Sequence, residues 1–279
     1  MKKAFVIMLT GVMMMAAVAC GGGSTTSSAP AADSQKQEEA KPEESAETVE
    51  STVEEVEDAE PNITEEPMTY DQYMAAPLDS EVVIEGGVQA KQAYYAQDDK
   101  GTANVYLQDE DGAYFLYGLP CTEKEYELLQ IGSKIRVEGY KAEWSGEVEV
   151  IDAIWMFVDG EYIAEPEDVT ALLGTDELIN KQNKKVIFRG MTVEPIGEEG
   201  TAAFLYNWDG SGAEGDDLYF NVSLNGQKYT FTVESYLCGP DTDVYKAIQD
   251  LHIGDVIDME GFLYWYEGPN PHITAVLAQ

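Results

Sequence analysis

Ile131-Gly132-Ser133-Lys134-Ile135-Arg136-Val137-Glu138-Gly139 and Ile253-Gly254-Asp255-Val256-Ile257-Asp258-Met259-Glu260-Gly261 are one phrase written twice. Each opens on Ile-Gly, places apolar residues at every second position, and closes on Glu-Gly. Period-two alternation is the pattern of a strand with one buried face, and a glycine just before it stops a helix. A helix signal precedes the first copy: Thr122-Glu123-Lys124-Glu125 is a capping box opening a short helix that runs to about Leu129.

Working outward from these two phrases, the rest of the chain falls into two matching blocks. In the first, strand patterns cover Val82–Tyr95, Ala103–Gln108 and Ala113–Leu119 before the helix, then Lys134–Glu143 and Glu147–Phe157 after it. A further weak capping box, Thr69 with Gln72, marks a helical turn over Tyr70–Met74 that Pro77 ends. In the second block, Val186-Ile187-Phe188-Arg189-Gly190 answers Val82-Val83-Ile84-Glu85-Gly86. Phe220–Leu224 and Gln227–Glu234, joined at Asn225-Gly226, answer strands two and three, and Asn-Gly between alternating runs is a strong hairpin signal. Ile273-Thr274-Ala275 answers Ile151-Asp152-Ala153. Repetition at this length means duplicated domains and not a solenoid. Residues 165–183 connect the blocks, with one short helix expected after Thr175.

Five strands with one helix between the third and fourth resemble the OB-fold, a small partly open barrel. "IGSKIRVEGY" and "IGDVIDMEGF" are similar to the start of its fourth strand. The fold class expected is therefore mainly β: two tandem OB-like barrels, over 68–164 and 165–279, each with one short helix. The resemblance implies a binding protein, because OB loops and faces hold oligonucleotides, oligosaccharides or proteins. One fold hosts many functions, so it does not choose among them.

The N-terminus carries a separate message. Met1-Lys2-Lys3 precedes an apolar run, Ala4–Ala19, that is too short to span a bilayer, and Cys20-Gly21-Gly22-Gly23 follows. This resembles a bacterial lipoprotein signal over 1–20. The resemblance implies cleavage before Cys20, a diacylglycerol on its sulfur, and a chain tethered to the outer face of the cell membrane. As a whole the chain resembles the tandem-OB lipoproteins of Gram-positive cell surfaces. Residues 21–67 are rich in Ser, Thr, Ala, Pro and Glu, with fourteen Asp/Glu in 21–70 against Lys36 and Lys41. Such a segment cannot bury enough apolar surface to fold, and we expect a disordered acidic linker.

The formal net charge is −37. Nucleic-acid affinity rests largely on cationic contacts, so nucleic acid is disfavoured here as a partner. A carbohydrate or protein ligand is expected instead, bound by a monomer. No cofactor is expected, and no sequence pattern for a metalloprotease or a serine hydrolase occurs. The reading is a non-enzyme; a nucleic-acid binder and a carboxylate-dependent hydrolase are its alternatives.

Aromatics stand near the loops joining strands one–two and four–five: Tyr94, Tyr95 and Trp144 in the first block, Tyr206, Trp208, Tyr264, Trp265 and Tyr266 in the second. Of these, Tyr94, Tyr95, Trp144, Trp208, Trp265 and Tyr266 are the candidate ligand-binding residues. Each tryptophan adjoins a turn and is expected to be exposed. The loop Asp209–Asp217 is acidic and Gly-rich, which makes Asp209, Asp216 and Asp217 a weak calcium candidate. His252 and His272 are expected to cap or to face solvent. Cys121 and Cys238 follow equivalent strands in separate blocks and are expected to be buried free thiols.

Overall fold

The structure is a computed structural model that describes residues 61–97 and 100–277. Cys20, the signal segment and most of the acidic linker lie outside the described residues. Ile63 is buried, so packing begins a few residues upstream of the Met68 boundary read from composition. Among the described residues, no helix is long and apolar enough to cross a membrane.

The first block contains α1 (Tyr70–Ala75), β1 (Glu81–Lys91), β2 (Tyr95–Gln97), β3 (Lys100–Gln108), β4 (Ala113–Cys121), α2 (Glu123–Leu128), β5 (Ser133–Trp144) and β6 (Glu147–Glu161). Both capping boxes form: Thr69 with Gln72 opens α1, and Thr122 with Glu125 opens α2. The strand order β1-β5-β6-β4-β3 closes through a β1–β3 pairing, with β2 extending one edge. The β4–β6 pairing is parallel and the other four are antiparallel. This is a closed five-stranded barrel with its helix between the third and fourth barrel strands.

The second block repeats the plan with β8 (Lys185–Glu194), β10 (Leu218–Leu224), β11 (Gln227–Val233), α3 (Asp243–Gln249), β12 (Val256–Phe262) and β13 (His272–Leu277). Its order β8-β12-β13-β11-β10 closes through β8–β10. Two short strands flank it, β7 (Glu167–Asp168) and β9 (Phe204–Tyr206), and the connector makes 3-10 turns at Thr170–Leu172 and Leu178–Lys181. The expected helix after Thr175 is thus one short 3-10 turn. Asn225 and Gly226 both take positive φ, as do Ser145 and Gly146 at the β5–β6 hairpin. Both turns have the primed form that suits the strand twist.

Each barrel has its own core. Ile84, Val105, Leu107, Leu116, Ile135 and Val137 fill the first; Phe188, Phe220, Phe231, Tyr245, Met259 and Ile273 fill the second. The two barrels belong to one compact unit. A third, smaller cluster of Tyr106, Phe115 and Phe262 draws on both barrels and joins them.

Candidate ligand-binding faces

Alternation along the second and third barrel strands decides what each face presents. In barrel 2, Leu218, Phe220 and Val222 enter the core, so Tyr219 stands on the opposite face of β10. Thr230 is exposed on β11, next to the core residue Phe231. The loop between β12 and β13 brings Tyr264, Tyr266 and Asn270 beside them, and the β9–β10 loop adds Trp208, which is 76% exposed. Together they line an open groove of about 820 Å³. Sequence reading nominated Trp208 and Tyr266, and the structure brings those two together. Tyr264, also among the loop aromatics of the second block, joins them. Tyr219 was missed; its out-of-phase position between Leu218 and Phe220 was the available signal.

Beneath this face lies Glu234, just past the end of β11. Burial pushes its carboxyl up to about 7. Oε1 accepts the Tyr236 backbone N–H at 3.1 Å, while Oε2 is buried without a hydrogen-bond partner. Burial also raises the Tyr219 hydroxyl, with Asp217 and Glu234 adding to it.

Barrel 1 presents the equivalent face differently. Ala103, Val105 and Leu107 enter the core, leaving Thr102, Asn104, Tyr106 and Gln108 on the other side of β3. Barrel 2 covers the far half of this row. The Tyr106 ring stacks on Phe262 at 4.3 Å and Phe115 meets Tyr264 edge-on at 5.3 Å. Tyr264 stacks on His272 at 4.4 Å, and Tyr106 Oη lies 3.0 Å from His272 Nδ1. Burial holds His272 neutral, down to about 3. His272 therefore corrects the expectation of a capping or surface histidine. Its position at the start of β13, where the barrels meet, is the reason. His252 is exposed, 3.8 Å from Asp255.

Trp265 is the second correction. It sits at a turn, but its indole packs over Gly146 of the barrel 1 hairpin and against the barrel 2 core. Its backbone N–H donates to Glu147 Oε2 at 2.8 Å. Trp265 also lines a separate groove of about 600 Å³ with Leu178, Ile179 and Tyr229. Glu147 is fully buried, and burial pushes its carboxyl up to about 8, so it carries a proton at neutral pH. The joint is completed by polar contacts. Gln182 accepts from the Val148 N–H and donates to the Gly146 carbonyl; Asn183 donates to the Val148 carbonyl; the Lys185 N–H donates to Gln108. The Glu267 N–H donates to the Ser145 carbonyl, and the Ala93 N–H to the Tyr236 carbonyl, both at 2.7 Å.

The remaining candidates are scattered. Trp144 stands 62% exposed at the hairpin tip, and Tyr95 is 64% exposed on β2. Tyr94 is half-buried against Tyr126, with ring centroids 5.4 Å apart. The acidic loop does not gather its carboxylates. Asp209 accepts from the Ser211 N–H, Asp216 from the Ala213 N–H, and Asp217 from Ser235. Among the described residues, no group of three or more His, Cys, Asp or Glu side chains could hold a metal ion. Cys121 and Cys238 are buried free thiols, each pushed up to about 11 by burial.

No family model matches the chain, and no curated protein matches it. Solved structures do. The hypothetical protein ygiW from E. coli matches at 14% identity over 34% of this chain and 94% of that one, with a TM-score of 0.24. The HINa domain of Ifi202, crystallised with 20-bp double-stranded DNA, matches at 10% identity over 71% of this chain and 98% of that one, TM-score 0.31. A chain of the Replication Protein A heterotrimer bound to single-stranded DNA matches at 10% identity over 72% and 50%, TM-score 0.27. These are likenesses of fold. They correct one expectation: the acidity of this chain reads as disfavouring nucleic acid, and two of these three matches are recorded with DNA.

Proposed function

We propose that the protein is a non-catalytic binding module that holds an extended polymer across the open face of barrel 2. The observation that carries this reading is the convergence of Trp208, Tyr219, Tyr264 and Tyr266 on one groove. Planar rings that reach solvent stack on the flat faces of sugars or bases, and each base–aromatic stack is worth about 1–3 kcal/mol. Thr230 and Asn270 stand at the same groove and supply hydroxyl and carboxamide groups for orientation. An oligosaccharide is the first reading, because these rings and the polar groups beside them, Glu267 included, suit hydroxyl-bearing rings. Single-stranded nucleic acid is the second, since the same rings accept bases. A tether through Cys20 on the extracytoplasmic face belongs to the same proposal and gives the groove access to envelope polymers. The test is a binding panel of immobilised glycans and single-stranded oligonucleotides, probed with the full chain and with a Trp208→Ala, Tyr266→Ala variant. Retention on one polymer class, weakened in the variant, supports the reading; equal retention of both proteins refutes it.

A further inference from the structure

The uncovered half of the barrel 1 face has a feature that its counterpart lacks. Along β3–β4 the register shifts, so that Tyr117 and Gly118 together oppose Asn104. Gly118 takes φ +64°, and its N–H is met by the Asn104 side chain at 2.8 Å. Asn104 also donates through Nδ2 to Gln92 Oε1 at 2.7 Å, so its carboxamide is fixed at both ends. The equivalent pairing in barrel 2, β10 with β11, runs from Leu218 to Leu224 without any shift. The bulge is therefore not a requirement of the fold, and bulges of this kind serve to re-aim a side chain. Here it presents Tyr117, 55% exposed, to solvent.

Two more tyrosines face the same space. Tyr95 comes from β2, paired with Thr102, and Tyr236 comes from barrel 2 at 69% exposure. The Tyr236 carbonyl is held by the Ala93 N–H, so docking of the two barrels fixes this part of the site. The groove encloses about 350 Å³, and besides the three rings its lining includes Gln92, Thr102 and Asn104. Among the described residues, no side chain lining it is charged, in a protein a quarter of whose residues are charged. Exposed tyrosines among fixed carboxamides and a hydroxyl, with no charged side chain among the described lining residues, match a ligand that offers flat apolar ring faces edged with hydroxyls.

We propose that this seam groove is a second binding site, for a neutral oligosaccharide. It shares no residue with the barrel 2 face and stands or falls apart from it. The test uses the full chain carrying Trp208→Ala and Tyr266→Ala, which leaves the seam as the only site assayed. Chitohexaose, laminarihexaose and cellohexaose are titrated by calorimetry, with the oligonucleotide dT12 as the charged control. Saturable binding of at least one hexasaccharide, weakened about fivefold or more by Tyr117→Ala and by Tyr236→Ala, supports the site; such a change is about 1 kcal/mol. Tyr117→Phe keeps the ring and should bind within about threefold of its parent. Both alanine changes remove exposed side chains, so unchanged melting temperatures separate lost contacts from lost folding. The proposal is overturned if none of the three sugars binds, if the tyrosine changes leave binding intact, or if dT12 is the ligand that Tyr117 controls.

Discussion

Glu147 and His272 both lie at the joint between the barrels and pull stability in opposite directions with pH. The Glu147 carboxyl is raised to about 8, so the folded state holds a proton that the unfolded chain releases near 4.5. Its contribution is present below pH 4.5 and is lost as pH climbs to 8. Glu234, raised to about 7, has the same sign. His272 is lowered to about 3, so its contribution is present above pH 6.5 and is lost as pH falls toward 3. One such group changes stability by at most about 1.4 kcal/mol per pH unit. Between pH 6.5 and 8 only the two glutamates act among these three, and stability should decline. Glu147→Gln should flatten that decline and raise the denaturation midpoint at pH 8; an unchanged slope in urea melts would show that Glu147 is ionised in the folded protein. The two tryptophans differ likewise. Trp144→Ala should lower stability by less than about 1 kcal/mol, as surface changes do. Trp265→Ala, which empties the space over Gly146, should remove about 2–4 kcal/mol, and matching losses in the two melts would contradict the joint. Their turn positions were legible in the sequence. Their fates were not, because what covers a turn is set by a distant segment and leaves no local pattern.

At the scale of elements, the repeated phrase turns out to be written by backbone geometry. Gly132 and Gly254 take φ of +92° and +95°, a conformation that favours glycine. At the other end, a Cβ on Gly139 would lie 2.8 Å from the Ile151 carbonyl oxygen, and one on Gly261 would lie 2.2 Å from that of His272. Both glycines sit at register shifts where the fourth and fifth barrel strands press together. Gly139→Ala and Gly261→Ala should each lower stability by about 1–3 kcal/mol, as forced overpacking does, measurable as a fall in denaturant midpoint at unchanged m-value. The barrel plan and both capping boxes were legible because they rest on such local signals. Lys141 was not. Its buried ammonium donates to the carbonyls of Tyr73, Met74 and Ala76, at 2.9, 3.0 and 2.9 Å, clamping the end of α1. Lys141→Met leaves three carbonyls without their donor, at about 1–3 kcal/mol each if they stay buried. Amide exchange should quicken over Tyr70–Ala75 while the barrel core stays protected; uniform protection would show that the clamp is dispensable.

For the whole molecule, docking decides which surfaces are free. One barrel's face is half consumed by its neighbour through Tyr106 and Phe115, and the other is left open with Trp208, Tyr219, Tyr264 and Tyr266 around it. Nothing in the alternation of β3 distinguishes Tyr106, which is covered, from Asn104, which is not. Sequence therefore pointed to Trp208 and Tyr266 of the barrel 2 face, but not to Tyr219, nor to how docking divides the two faces. The shared cluster and the hydrogen bonds across it couple the barrels, and calorimetric unfolding should show one transition, with two resolved transitions contradicting a firm joint. The central claim is that the barrel 2 face binds a polymer by stacking. Its most direct measurement is the dissociation constant of the full chain for the polymer selected by the binding panel, compared with Trp208→Ala and Trp144→Ala. Both residues are exposed indoles, and only Trp208 is placed in the groove. The account predicts that Trp208→Ala weakens binding about fivefold to a hundredfold, while Trp144→Ala leaves it within twofold, with both melting temperatures unchanged. Equal losses, or no loss in Trp208→Ala, would contradict it.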